Sequence, residues 1–212
     1  MSGTSSSPYR AIDDPAQPRE SAQDSLQYIR RTLDAASRLS SVSGTGLVAV
    51  GAMALTAVVV NLRMTGAPWT AAYPFRALTV WAALLLVSAA VTAGSMAAKS
   101  RRTGQLFWSP VLRKALAICA APMLLGLLLS VAALKRDELE LLPLLWLGCY
   151  GAALTSAGVI SVSPVRWMGI SFLLLTTVAV FAPASTGLAL LALGFGGLHL
   201  LFGGYIYWRH DG

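Results

Sequence analysis

The sequence predicts an all-α membrane protein, a six-helix transmembrane bundle with an N-terminal amphipathic juxtamembrane helix. Six runs of 16 to 25 residues contain no Asp, Glu, Lys or Arg. The 212 residues are 56% hydrophobic and 12% charged, and their mean hydropathy of +0.65 is higher than a soluble domain requires. A helix rises ~1.5 Å per residue and the hydrocarbon layer is ~30 Å thick, so about 20 apolar residues can cross it.

The six predicted spans follow one another with short connections. They cover residues 44–62, 77–98, 115–134, 141–165, 167–182 and 187–208. The fifth run is short, and we expect Pro183 to Thr186 to continue its path through the interface. Residues 42–208 therefore form the transmembrane domain, and 209–212 form a short tail. The connections leave no room for a second soluble domain, so function must lie in the bundle, the loops or the N-terminal arm.

The arm before the first span divides into two parts. Residues 1–20 are rich in Ser, Pro, Asp and Gln, a composition typical of a disordered tail. Within 21–41, Leu26, Ile29 and Leu33 recur at helical spacing, while Arg30 and Arg31 occupy other faces. This helix either lies on the membrane with its arginines at lipid phosphates, or it docks a partner or a second copy.

The net charge of +7 reflects membrane topology rather than nucleic-acid binding, because the basic residues cluster beside the spans. With the N-terminus inside, ten basic residues flank the cytoplasmic side and four flank the other, where the acidic Asp137, Glu138 and Glu140 dilute them. Both termini are therefore predicted to be cytoplasmic, beside anionic lipid. The polar N-terminus predicts an uncleaved signal-anchor as the first span.

The most specific local pattern is a glycine-rich stretch around His199. Gly196, His199 and Gly203 share one face of an ideal helix. Glycines at this spacing let another helix approach closely. The fourth span offers a matching small face, formed by Gly151, Thr155 and Gly158. We expect these two faces to form a packing surface, with His199 pointing into it.

An intramembrane His is a functional candidate by default. Thr176 or Thr177 of the fifth span could bond it, in which case His199 is structural. We expect no cofactor, metal or catalytic group, because haem ligation through two histidines needs a second one within the membrane. The spans also contain no carboxylate. Cys119 and Cys149 are predicted at different depths, too far apart for a disulfide.

Three segments carry a resemblance to a known group of proteins. They are the arm Ser25–Arg31, the entry Gly44–Gly46 to the first span and the closing Gly194–Gly204 stretch with its His. The order of these three segments along the chain resembles that of a family of small bacterial multi-span integral membrane proteins with no assigned activity. The resemblance covers residues 25–208 and implies the six-span architecture.

Three functions remain open from the sequence. The leading hypothesis is a non-enzymatic accessory or interaction subunit of the inner membrane, bound to a membrane partner or to copies of itself. The alternative is a facilitator or channel for a neutral small solute, with kinks at Pro122 and Pro143 freeing carbonyls along its route. The third is an intramembrane enzyme that uses His199.

Overall fold

The computed structural model describes residues 42–65, 74–104 and 106–210, together with Ser25 and Gln27. No strand occurs among these residues, and six helical segments are each long and apolar enough to cross a membrane. The predicted fold class, an all-α six-helix bundle, is confirmed. The candidate surface of the predicted amphipathic helix lies outside the described residues: Leu26, Ile29, Arg30, Arg31 and Leu33.

The first five spans are centred on one α-helix each, and the sixth is composite. The helices are α1 (Gly44–Thr65), α2 (Pro74–Arg102), α3 (Pro110–Lys135), α4 (Leu142–Ala157) and α5 (Ser163–Phe181). Short 3₁₀ turns flank α4 at Leu139–Leu141 and Gly158–Ile160, and another precedes the sixth span at Ala184–Thr186. That span consists of α6 (Gly187–Leu191), a π-helical segment (Ala192–Leu198) and α7 (His199–His210).

The boundary between the fourth and fifth spans differs from the prediction. The chain leaves the fourth span after Ile160, and α5 begins at Ser163 with Pro164 in its first turn. Proline is favoured there because the first-turn amides have no intrahelical acceptor. The fifth span is thus 19 residues long and needs no continuation through Pro183 to Thr186, which precede or begin the sixth span. Hydropathy alone placed the end of the fourth span five residues too late and the start of the fifth span four residues too late.

The two prolines expected to kink their helices behave differently. Pro122 lies inside α3. Pro143 lies in the first turn of α4, where its missing N–H breaks no helical hydrogen bond. The predicted kink at Pro143 is therefore wrong.

The helices pack side by side around α1, the sixth span, α4 and α5. α1 packs along α2 on one side and along the sixth span on the other, while α4 packs along α5 and α3. Trp146 of α4 donates to the Ser130 hydroxyl of α3 at 2.9 Å. The buried core includes Leu142, Leu147, Met168, Phe172, Leu188 and Leu191. α2 and α3 thus stand at the two flanks of the bundle.

The described carboxylates all lie at one end of the bundle, and most of the described basic residues lie at the other. Gly44 approaches the backbone of Tyr207, and Ile160 packs with Leu112, so α1, α3 and α5 begin where α2, α4 and α7 end. This basic end carries seven basic residues and no carboxylate among the described residues: Lys99, Arg101, Arg102, Arg113, Lys114, Arg166 and Arg209. The opposite end carries Arg63, Arg76, Lys135, Arg136, Asp137, Glu138 and Glu140.

Candidate functional site

An aromatic cluster surrounds His199 in the middle of the bundle. It brings together side chains from α2, α4, α5 and the π segment, namely Trp81, Trp146, Tyr150, Phe172 and Phe195. The centroid of the imidazole lies 5.6 Å from that of Tyr150, 5.7 Å from Phe172 and 6.0 Å from Phe195. With His199 only 1% exposed, the cluster encloses the imidazole.

His199 is held by one hydrogen bond, between its Nε2 and the Tyr150 hydroxyl at 2.8 Å. Its Nδ1 has no partner with hydrogen-bond geometry. The neutral pair carries two polar hydrogens, one on the phenol and one on the ring, and only one can lie between the two residues. The backbone carbonyls of Gly194 and Phe195 nevertheless lie near the imidazole. With the ring hydrogen on Nδ1, the phenol donates to Nε2 and the ring N–H can turn toward these carbonyls, whereas a hydrogen on Nε2 leaves the phenol hydrogen without an acceptor among the described residues. The first tautomer is therefore the better satisfied of the two.

The expected partners of His199 are not used. The hydroxyl of Thr176 donates to the carbonyl of Phe172 at 2.8 Å, and that of Thr177 donates to the carbonyl of Leu173 at 3.0 Å. A threonine in a helix readily bonds the carbonyl four residues before it, which removes it as a cross-helix donor. Tyr150 takes this role instead.

Gly196 and Gly203 pack against α1, away from the Tyr150 contact. A Cβ on Gly203 would lie 2.8 Å from the amide nitrogen of Val48, and one on Gly196 would collide with the side chain of Leu55. The prediction that His199 points into this contact is wrong. It assumed ideal α-helical spacing, whereas Gly196 lies in the wider π turn over Ala192–Leu198, which changes its angle to His199.

The small face of α4 packs against α5 and not against the sixth span. A Cβ on Gly151 would lie 2.9 Å from that of Phe172, and the Thr155 hydroxyl would stand 2.5 Å from a Cβ added to Gly169. Gly158 likewise abuts the backbone of Arg166. The predicted match between the glycine faces of the fourth and sixth spans is therefore wrong. Each face is already covered within the chain.

The two cysteines are free. The thiol of Cys119 contacts the carbonyl of Ala153 at 3.6 Å, while Cys149 packs beside Gly126. No group of three His, Cys, Asp or Glu side chains in residues 42–65, 74–104 and 106–210 is placed to hold a metal ion.

Sequence reasoning missed the buried polar groups near the end opposite the basic one. Asn61 of α1 is 0% exposed, and neither its amide nitrogen nor its oxygen has a hydrogen-bond partner. The indole nitrogen of Trp81 is also buried without a partner. The contact of Gly46 with Ser95 sets the antiparallel register of α1 and α2, which places Asn61 and Trp81 at similar depth. An Asn within an apolar run is the signal that could have identified this site.

The chain was compared with protein-family models, curated proteins and solved structures, and none of them matches it.

Proposed function

We propose that this protein is a non-enzymatic interaction subunit that binds a transmembrane helix of another membrane protein. The observation that carries the proposal is the uncovered flank of α2. Only 11% of its span is buried within the chain, as is also true of α3, against 44% of the sixth span. α2 packs mainly along α1, with local contacts of Trp81 to Trp146 and Phe195 and of Met96 to the start of α3, so much of its surface is available to lipid or to a partner.

The exposed flank of α2 has a composition suited to helix association. Ala90, Gly94 and Ala98 follow one another at four-residue spacing and are all exposed. A Cβ on Gly94 would meet no atom within 4 Å. Small residues at this spacing allow two helix backbones to approach closely, and in lipid such packing drives association.

Replacing Gly94 by Leu is expected to reduce the recovered complex several-fold without unfolding the chain. The new side chain enters open space in the isolated protein but blocks close approach of a second helix. Native mass spectrometry of the tagged protein, released with its own lipids, would measure the fraction bound to a second protein. A homo-oligomer lost in the same way would make the partner a second copy.

Gly204→Leu is the matched control, because a Cβ there also meets no atom within 4 Å but lies on α7. We expect this variant to bind as the wild type does. Equal loss in both variants would contradict a specific role for the α2 flank.

A facilitator for a neutral solute is the second candidate, and Asn61 favours it. A buried amide without a partner costs about 1–3 kcal/mol, so its retention is consistent with a polar molecule passing or resting there. In the same mass spectra, a lone chain carrying a bound neutral molecule would favour this function. The intramembrane-enzyme hypothesis finds no such support, because a substrate has no access to His199 at 1% exposure.

We further propose that the protein resides in a bacterial inner membrane with both termini cytoplasmic. The asymmetry of charge between the two ends supports this orientation, because basic residues are retained on the cytoplasmic side. The described chain begins and ends at the basic end.

A fluorescent reporter fused after Gly212 is therefore expected to mature in the cytoplasm, whereas an alkaline phosphatase fused at the same place should be inactive. The matched control is the same pair of reporters inserted after Glu138, which lies between α3 and α4. At that position the alkaline phosphatase should be active and the fluorescent reporter should not mature. An active phosphatase after Gly212 would overturn the orientation.

A further inference from the structure

A cavity of about 300 Å³ lies at the basic end, where the chain turns from the fourth span into the fifth. Its lining combines one cation, two hydroxyls and apolar groups, contributed by Gly158, Val159, Ser161, Ser163, Arg166, Trp167 and Ile170. No residue of this cavity belongs to the aromatic cluster around His199.

The cation of this cavity is far from the carboxylates of the described chain. Asp137, Glu138 and Glu140 lie between α3 and α4, at the opposite end of the bundle. The fourth span, Leu139–Ile160, begins beside them and ends near Arg166, and its 22 residues correspond to ~33 Å of helix. The other charged residues that the structure describes at this end are basic, so their potential favours an anion.

The backbone fixes Arg166 beside the cavity. A Cβ on Gly158 would lie 2.5 Å from the Cα of Arg166, so the end of α4 touches the first turn of α5 directly. Val162 caps α5 without a side-chain hydrogen bond. The positive end of this 19-residue helix therefore adds to the charge of the guanidinium.

The rim of the cavity is apolar and faces outward. Val159 is 67% exposed and Trp167 is 61% exposed. A tryptophan at the end of a span is typical of the headgroup level of a membrane, where its indole meets both acyl chains and polar groups. The cavity thus opens where a lipid headgroup and the first part of its acyl chains could both be accommodated.

We propose that this cavity is a binding site for a phosphate ester, with the phosphate at Arg166 and Ser163 and the apolar portion against Val159 and Trp167. Arginine suits this role because its planar fork can donate two hydrogen bonds to phosphate oxygens. The apolar rim favours an anionic phospholipid over free phosphate as the source. Ligand binding in this cavity is independent of the partner surface proposed on α2.

The experiment measures lipid retention by native mass spectrometry from micelles with equal amounts of phosphatidylglycerol and phosphatidylcholine. Wild-type protein is expected to retain one phosphatidylglycerol in preference to phosphatidylcholine. Arg166→Gln should lower that retention about tenfold, because it removes a charge-assisted pair of hydrogen bonds. Arg166→Lys keeps the charge but not the planar fork, so its phosphatidylglycerol retention should lie between that of the wild type and that of Arg166→Gln.

Arg113→Gln is the matched control, since Arg113 is exposed at the same end but does not line the cavity. It should retain the lipid as the wild type does. Equal loss in Arg113→Gln and Arg166→Gln, or equal retention of the two lipids by the wild type, would overturn the proposal. Thermal stabilisation by inorganic phosphate that requires Arg166, without lipid retention, would identify free phosphate as the source.

Discussion

Gly203→Ala is expected to destabilise the bundle by roughly 1–3 kcal/mol, the usual range for overpacking a close contact. The added methyl group would stand 2.8 Å from the amide nitrogen of Val48, 2.9 Å from the Cβ of Leu47 and 3.1 Å from the carbonyl oxygen of Gly44. None of these atoms can rotate away, because they are backbone atoms or a Cβ. The sixth span must therefore move away from α1 along most of their shared length.

The neighbouring Gly204 gives a control with the same chemistry and a different environment. A Cβ there meets no atom within 4 Å, so Gly204→Ala should be neutral or should stabilise α7 by up to about 1 kcal/mol through helix propensity. Thermal unfolding of both variants in the same micelles measures the difference. If both variants unfold at the same temperature, the close approach of α1 and the sixth span does not limit stability.

The spans were predictable from the sequence because hydropathy acts over a whole helix. Five apolar runs were long enough to cross and the fifth in order was short, yet six helices follow the six runs. The end of the fourth span was missed for a local reason. Val162 and Val165 are equally apolar, so only the preference of Pro164 for a first turn marks where α5 begins.

The partners of each helix face were less predictable. The sequence shows that Gly196 and Gly203 permit a close approach, but not which helix approaches, since α1 and α4 both offer small residues. The π turn also breaks the 3.6-residue periodicity on which the placement of His199 depended. Local spacing can identify the aromatic pairs Trp146–Tyr150 and Phe195–His199 at four residues each. Which of these rings from different helices come into contact is decided by tertiary packing.

Tyr150→Phe is expected to lower stability by about 1–3 kcal/mol, although it removes a single oxygen atom. The change leaves Nε2 of the buried His199 imidazole without its hydrogen bond. His199→Leu should have an effect of similar size for the converse reason, since it leaves the phenol hydroxyl without the one cross-helix partner that the described residues give it. Thermal unfolding in micelles measures both.

Combining the two substitutions tests whether the pair acts as a unit. With both polar groups gone, neither a donor nor an acceptor is left without a partner, so the double variant should be at least as stable as either single variant. Additive losses would show that the 2.8 Å contact contributes nothing and that packing within the cluster explains each effect. A double variant that folds and still binds its partner would make His199 structural. One that folds but loses a measured activity would assign that activity to the Tyr150–His199 pair, because the variant keeps the fold and lacks the buried proton donor and acceptor of these two residues.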